Sequence, residues 1–141
     1  MSEHVLHQFT EGAYVGDAVS DQAFLMQRWL RDLGFESQLY AERIQPELAG
    51  RVLPAGEYRP RPAETCLIHH HAVGSIVAGR LMEIGLPQIL IYHNITPPEF
   101  FEKTNPALAD SLRRGRQQLA RMRPQTRLGL GDSAYNESEL I

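Results

Sequence analysis

Several features that define other protein classes are scarce in this 141-residue chain. It has one cysteine, Cys66, so no internal disulfide can form and no cysteine-based zinc site is available. The formal net charge is only -3, from 14 basic and 17 acidic side chains, so no global field attracts nucleic acid. No apolar run approaches the roughly 20 residues that span a bilayer. These absences exclude a disulfide scaffold, a charge-driven nucleic-acid-binding protein and a membrane span.

Composition and length place the chain in the range of an ordinary globular domain. Hydrophobic residues make up 43% and charged residues 22% of the chain, which is typical of soluble domains. A chain of this size buries roughly 68–70% of the surface that it exposes when extended, which suffices for one core. The first residues carry neither the basic nor the apolar segment of a secretory signal. We therefore expect residues 1–141 to form a single domain of a cytoplasmic protein.

Strand-sized apolar runs alternate with helical patterns along the chain. The predicted strands cover residues 4–9, 35–41, 65–69, 88–92 and 127–131. The fourth of these runs is continuously apolar after its first residue, as in a parallel strand covered on both faces. A glycine-containing loop is predicted over residues 10–16, and four prolines keep residues 45–64 from forming a long regular element.

Capping residues mark the ends of the helices between these strands. N-caps are available at Asp17 or Ser20, at Asn105 and at Asp132-Ser133, and Gly74-Ser75 opens the second helix. Gly34, Gly85 and Pro124 end the first three helices. Only nine residues follow Asp132, so we expect a truncated piece, or one subunit, of a longer enzyme. The alternation of strands and helices predicts an open, mostly parallel α/β sheet with helices on both faces.

Ligands of such sheets bind beyond the carboxyl ends of the strands. The candidate residues therefore lie in segments 12–17, 69–71, 93–99 and 132–136. We expect these four segments to face one crevice. In the first segment, Gly12 and Gly16 precede a helix whose free N-terminal amides attract phosphate. Because this segment is neither a dinucleotide fingerprint nor a P-loop, the alternative is an ordinary turn in which Asp17 caps the helix and repels anions.

Residues 69–71 are three consecutive histidines, a residue type that often binds metal. Adjacent strand residues point to opposite faces, so only His69 and His71 could share a metal, and no cysteine pair or carboxylate lies at a suitable spacing. We therefore expect no metal site, and a zinc hydrolase that uses His69, His71 and His93 is the alternative.

No serine lies in a G-x-S-x-G turn and Cys66 falls inside an apolar strand, so nucleophilic catalysis has no candidate.

Residues 92–101 form the most unusual segment of the sequence. A buried strand is followed at once by His93, Asn94 and Thr96, and then by a proline pair and Glu99. The prolines hold the backbone extended, and an imidazole there can bind sugar hydroxyls or carry charge near neutral pH. The alternative is a strand-end histidine bound only by backbone groups.

Residues 113–127 hold six of the 14 basic residues, for which a solvated helix face is favoured over contact with an anionic lipid surface.

Five motifs follow one another in a distinctive order. They are His7-Gln8-Phe9, Gly12 to Gly16-Asp17-Ala18, Ile68-His69-His70 before Gly74-Ser75, Tyr92-His93-Asn94-Ile95-Thr96-Pro97, and Asp132-Ser133 with Tyr135-Asn136 and Leu140. Over nearly the whole chain, this order resembles the N-terminal half of the group 1 bacterial glycosyltransferases. These enzymes have the GT-B architecture of two Rossmann-like domains across a cleft, and they are usually retaining and metal-independent. The resemblance implies an acceptor-binding domain of an enzyme that transfers a sugar from a nucleotide-sugar donor to a glycan or lipid-linked acceptor.

The resemblance also implies roles for individual residues. His93 matches the family's histidine near the donor sugar and the acceptor. Gly12 and Gly16 match the loop that approaches the donor diphosphate, with Asp17 standing where many members have a second glycine. The acceptor cleft would be lined by His69, Asn94, Thr96, Glu99, Ser133 and Asn136. No cofactor or metal is implied, because the nucleotide-sugar is a substrate.

The nucleotide pocket of this family lies in a second domain that these 141 residues lack. The resemblance therefore implies a partner domain, in the same chain or in another subunit, and an isolated chain without transferase activity. It also implies a cytoplasmic location, with peripheral contact to the inner face of the membrane, and no nucleic-acid partner. The rival hypothesis is a non-catalytic, doubly wound module that binds a ligand or a protein partner.

Overall fold

Strands and helices alternate along the chain, as the sequence predicts. The computed structural model describes residues 4–131 and 133–140. The strands in these ranges are β1 (Gln8–Ala13), β2 (Leu39–Ile44), β3 (Val52–Pro54), β4 (Leu67–His71), β5 (Gln88–Tyr92) and β6 (Thr126–Gly131). The helices are α1 (Ala18–Asp32), α2 (Ile76–Ile84), α3 (Pro106–Arg121) and α4 (Ala134–Ser138). Asp132, a predicted N-cap, lies outside the described residues.

The six described strands form one sheet in the order β3-β2-β1-β4-β5-β6, and all five pairings between them are parallel. The chain runs outward from β1 to β3, crosses back to β4 beside β1, and then runs outward to β6. This is the strand order of the doubly wound dinucleotide-binding folds. The prediction of an open, parallel α/β sheet is therefore confirmed, and the fold is Rossmann-like.

The helices cover both faces of the sheet, because adjacent residues of one strand contact different helices. The side chain of Gln8 in β1 donates a hydrogen bond to the carbonyl oxygen of Ala23 in α1. The next residue, Phe9, packs in a buried cluster with Leu81 of α2. Residues of α2 and α3 share a further cluster with β5 on that same face. One face therefore carries α1 and the other carries α2 and α3.

Three helices begin and end where local chemistry predicts. Asp17, Ser75 and Asn105 each accept a hydrogen bond from a backbone N–H of the first helical turn. Gly34 and Gly85 follow the first two helices with φ values of 96° and 74°. Glycine adopts this left-handed conformation without a steric penalty. Caps of this kind depend only on residues close in the chain, so they were visible in the sequence.

Several strand boundaries differ from the prediction. β1, β2 and β4 all lie further along the chain than predicted, and β2 covers Leu39–Ile44 instead of residues 35–41. The proline-rich connection contains β3, a three-residue edge strand that ends at Pro54. Gly12, predicted to lie in a loop, pairs with Arg43 inside the sheet. Strands β1 and β4 each lie between two parallel neighbours, and this pairing holds polar and small residues in an extended conformation that they do not favour by themselves.

Two glycines in helix interiors have very different surroundings. Gly115 of α3 lies against the loop that precedes α2, where an added Cβ would come within 2.7 Å of the nitrogen of Gly74 and 3.0 Å of the carbonyl carbon of Val73. Gly79 of α2 has no neighbouring atom within 4 Å of such a Cβ. Backbone-to-backbone contact at Gly115 therefore sets how closely α3 approaches the sheet.

The substitutions Gly115→Ala and Gly79→Ala are expected to change stability in opposite directions. Alanine is favoured over glycine inside a helix by up to about 1 kcal/mol, and Gly79→Ala should gain most of this. Gly115→Ala must displace backbone atoms, at an overpacking cost of about 1–3 kcal/mol, and should lower the free energy of unfolding. Urea unfolding of the two variants measures both effects. An equal gain in both would show that α3 does not pack this closely.

Candidate functional site

The carboxyl ends of β1 and β4 form a crevice where the strand order reverses. Doubly wound folds bind their ligands at this position. A cavity of about 110 Å³ opens there, and its lining includes Thr10, Tyr14, His70 and Val73. The crevice therefore brings together the segments that follow β1 and β4, two of the four predicted to face one site.

The two glycines of the predicted phosphate loop have different positions. Gly12 lies within β1, where an added Cβ would come within 2.5 Å of the ring of Tyr14. Gly16 lies in the exposed turn before α1, with a φ of 77° and no atom within 4 Å of an added Cβ. Only Gly16 therefore presents an open backbone to a ligand, whereas Gly12 makes room for an aromatic ring.

Backbone N–H groups of the loop after β1 are already hydrogen-bonded to other parts of the protein. The N–H of Tyr14 donates to the hydroxyl of Ser20 at 2.9 Å, and the N–H of Val15 donates to the side-chain oxygen of Gln45 at 2.8 Å. Asp17 accepts hydrogen bonds from both the N–H and the hydroxyl of Ser20. Its carboxylate therefore occupies the helix N-terminus at which a phosphate would bind. The loop therefore has the geometry of an ordinary capped turn, which was the alternative to a phosphate-binding loop.

His93 lies directly after β5 and is joined to β4 and β1 by hydrogen bonds. Its Nε2 is 3.1 Å from Nδ1 of His70, and Nε2 of His70 is 2.7 Å from Oε1 of Gln8. Nε2 of Gln8 in turn donates to the carbonyl oxygen of Ala23 at 2.8 Å. Gln8, His70 and His93, which we call the histidine row, expose 0%, 1% and 7% of their surface. The row runs across the face of the sheet that carries α1, from β1 through β4 to the carboxyl end of β5.

Burial keeps the middle of the histidine row uncharged. Loss of solvent, and to a smaller extent the neighbouring His93, lower the pKa of His70 to about 3. A buried imidazole has no water to stabilise its charged form. His70 is therefore neutral near pH 7 and has one nitrogen that donates and one that accepts.

The segment after β5 is anchored by Ile95, which is fully buried. Its N–H donates to the hydroxyl of Tyr92 at 3.2 Å, and its carbonyl accepts a hydrogen bond from Arg116 of α3. The N–H of His93 also continues the pairing of β5 with β4, by donating to the carbonyl of His71 at 2.9 Å. These contacts on both sides fix the backbone at His93, so the imidazole has a defined position.

Five other predicted cleft residues follow the carboxyl ends of β5 and β6. Asn94 and Glu99 are exposed and Thr96 is half-buried. Ser133 caps α4 by accepting from the N–H of Asn136 at 3.2 Å, and Asn136 is buried. Because all the strands are parallel, these residues lie at the same edge of the sheet as His93.

His69, predicted to line the cleft, is buried inside the sheet on the face opposite to His70. Its ring centre is 5.3 Å from that of His71, whose Nε2 donates to the carbonyl of Gly115 in α3 at 2.8 Å. His93 contacts His70 and so belongs to the other face. The three histidines of the zinc-hydrolase alternative therefore do not converge. In residues 4–131 and 133–140, no group of three possible metal-ligating side chains is found.

The site is characterised by its own residues alone, because comparisons of the chain with protein-family models, curated proteins and solved structures each found no match. Three features distinguish it. They are the crevice between β1 and β4, the turn capped by Asp17, and the histidine row that ends at His93. Together they define a polar rim at the carboxyl edge of a Rossmann-like sheet.

Proposed function

We propose that this chain is the acceptor-side domain of a retaining GT-B glycosyltransferase. The enzyme would transfer a sugar from a nucleotide-sugar donor to a glycan or lipid-linked acceptor. The main support is the position of His93, a well-anchored imidazole at the carboxyl end of β5 and hydrogen-bonded to His70 of the crevice. This edge is where doubly wound sheets bind ligands. The motif around His93 resembles the family segment that lies near the donor sugar and the acceptor.

Transfer of a sugar depends mainly on orientation of the two substrates and on stabilisation of the departing diphosphate. In the proposed enzyme, His93 hydrogen-bonds to a sugar hydroxyl and holds it in the geometry for transfer. The polar side chains of Asn94 and Thr96, which are exposed and half-buried, supply further hydrogen-bonding groups beside it. Ser133 and Asn136 extend this rim after β6.

The negative charge of the diphosphate must be neutralised by another part of the enzyme. The lining of the crevice includes the acidic residues Glu11 and Asp17 and contains no lysine or arginine. A diphosphate next to these carboxylates would be repelled. Gly16 lets the donor approach the backbone, but the cationic groups are assigned to the second domain. This assignment agrees with the family resemblance, which places the nucleotide pocket in the second domain.

The proposal is tested by supplying the second domain. The chain is combined with the Rossmann-like domain encoded in its own reading frame or gene neighbourhood, and assayed with UDP-glucose and GDP-mannose on lipid-linked and glycan acceptors. We expect transfer only from the combined protein, with the anomeric configuration of the donor retained in the product by proton NMR. An inverted product, or full activity of the 141 residues alone, would contradict the proposal.

The second candidate function is a non-catalytic module that binds a ligand or a partner. The bound loop amides of Tyr14 and Val15 favour it, since they are not available to a phosphate. The two functions differ in the affinity of the isolated chain. Calorimetric titration with the same nucleotide-sugars should give very weak binding if the chain is half of an enzyme. Tight binding by the 141 residues alone would favour the module.

A cytoplasmic location with peripheral membrane contact stays a prediction. Among the helices that the structure describes, none is long and apolar enough to cross a bilayer. Two arginines of α3 are already paired with carboxylates, Arg113 with Glu102 and Asp110, and Arg116 with Glu139. Paired cations attract an anionic surface less strongly. Any contact with lipid therefore depends on the other basic residues of this region.

A further inference from the structure

The donors and acceptors along the histidine row can be assigned atom by atom, beginning at Gln8. The carbonyl oxygen of Ala23 can only accept a hydrogen bond, so the Gln8 atom 2.8 Å from it must be the amide nitrogen. The amide oxygen of Gln8 therefore faces His70. This contact with α1 excludes the flipped amide, which would place two acceptor oxygens together.

The orientation of Gln8 determines which nitrogen of His70 carries the proton. The oxygen of Gln8 only accepts, so Nε2 of His70, 2.7 Å away, must donate. Because His70 is neutral, its Nδ1 is then without a proton and acts as an acceptor.

His93 must therefore donate to His70 from Nε2. The two nitrogens are 3.1 Å apart, a distance suited to a hydrogen bond. The ring planes are inclined by 22° and the ring centres are 5.3 Å apart, so ring edges meet rather than ring faces. The proton between the two rings is therefore carried by Nε2 of His93.

We infer that Gln8 and His70 are positioning residues that keep Nε2 of His93 protonated and directed at Nδ1 of His70. The inference rests on the proposed function only in the claim that the orientation of His93 matters for transfer. At its other end, the row is fixed by the amide of Gln8 and the backbone carbonyl of Ala23 in α1, which orient His70 and through it His93.

The tautomers can be observed directly by NMR. A long-range ¹H–¹⁵N correlation spectrum of the ¹⁵N-labelled 141-residue chain near pH 7 distinguishes protonated from unprotonated ring nitrogens. We expect a protonated Nε2 and an unprotonated Nδ1 in His70, and a protonated Nε2 in His93. A neutral His93 protonated at Nδ1, or a His70 protonated at Nδ1, would overturn the inference.

Two substitutions of His70 distinguish a role in positioning His93 from a role in packing alone. In His70→Asn, the side-chain oxygen can accept from His93 in place of Nδ1, so the His93 tautomer and most of the turnover should be retained. His70→Phe fills the space but accepts no hydrogen bond in the ring plane. We expect it to remove the acceptor that keeps Nε2 of His93 protonated, and to lower kcat of the combined enzyme by about 10–100-fold, a usual effect of losing an orienting partner, with a smaller change in KM.

His71→Phe is the matched control, because His71 is the next residue of β4, is equally buried and lies on the opposite face. It should leave the His93 tautomer and kcat unchanged, whatever it does to stability, which circular dichroism monitors. Equal losses in His70→Phe and His71→Phe, with no rescue in His70→Asn, would show that His70 only packs. The expected tautomers in a protein that transfers no sugar would support the row and contradict the proposed function, so the two failures are distinguishable.

Discussion

The substitution His93→Ala is expected to lower the turnover of the combined enzyme by about 10²–10⁴-fold, with the fold intact. The imidazole is held at the rim by backbone pairing with His71 and by its bond to His70. A group held in this way contributes through orientation and proton handling, both of which alanine lacks. Steady-state kinetics with saturating donor and acceptor measure the loss, and circular dichroism verifies the fold. Near-normal turnover would remove His93 from the site.

His93→Gln is the informative companion variant. Its amide can still donate to Nδ1 of His70, so the buried row keeps its hydrogen bond and the loss of stability should be small. This amide has no basic nitrogen that could accept a proton during the reaction. If His93→Gln is as inactive as His93→Ala, the reaction needs the imidazole nitrogen; if it is nearly as active as the unmodified protein, His93 acts through the row alone.

Acid is expected to destabilise the fold steeply below the ordinary histidine pKa of 6.5. Burial is the main cause that lowers the pKa of His7, His69, His70 and His71, reaching about 3 in His70. The unfolded chain binds protons at these positions below pH 6.5 while the folded chain does not, so the free energy of unfolding falls as pH falls. The stabilisation is complete above pH 6.5 and is lost towards the folded pKa values. Each strongly shifted histidine contributes up to about 1.4 kcal/mol per pH unit.

Urea unfolding at a series of pH values between 7 and about 5, a range set by histidine titration, measures this dependence. His70→Asn removes one of the buried imidazoles, and the slope of stability against pH should fall by up to about 1.4 kcal/mol per pH unit. Asn94→Ala, at an exposed position of the neighbouring segment, should leave the slope unchanged. If His70→Asn also leaves it unchanged, His70 takes up its proton over the same pH range in the folded protein as in the unfolded chain, and burial does not lower its pKa.

The sequence predicted the helices better than the strands. A cap such as Asp17 or Ser75 acts on a backbone N–H three residues away, so the signal and its effect lie in one short window. Strand ends depend on partners far along the chain. Gly12 has no local preference for a strand, yet it is extended because β2 and β4 flank β1.

The candidate site was predictable only in part. His93 stood out because it follows an apolar run and precedes a proline pair, both of which are local features. Gln8 was not selected, and His70 lay in the candidate segment 69–71 but was given no role, although a polar residue in a buried strand requires a hydrogen-bond partner. That signal shows that a partner must exist but not which residue it is. The prediction ended β4 at His69 and placed this side chain in the cleft. The strand extends to His71, so His69 is buried inside the sheet.

The amino-acid sequence by itself determined the alternation of strands and helices, the capped helix ends, and the place of an unusual histidine after the strand β5. These features depend on side chains within a few positions of one another. Only the tertiary structure decided that β1 lies between β2 and β4, that β4 extends to His71, and that His70 bonds to Gln8. The last two residues are 62 positions apart, and the register of parallel strands, which no local pattern encodes, brings them into contact.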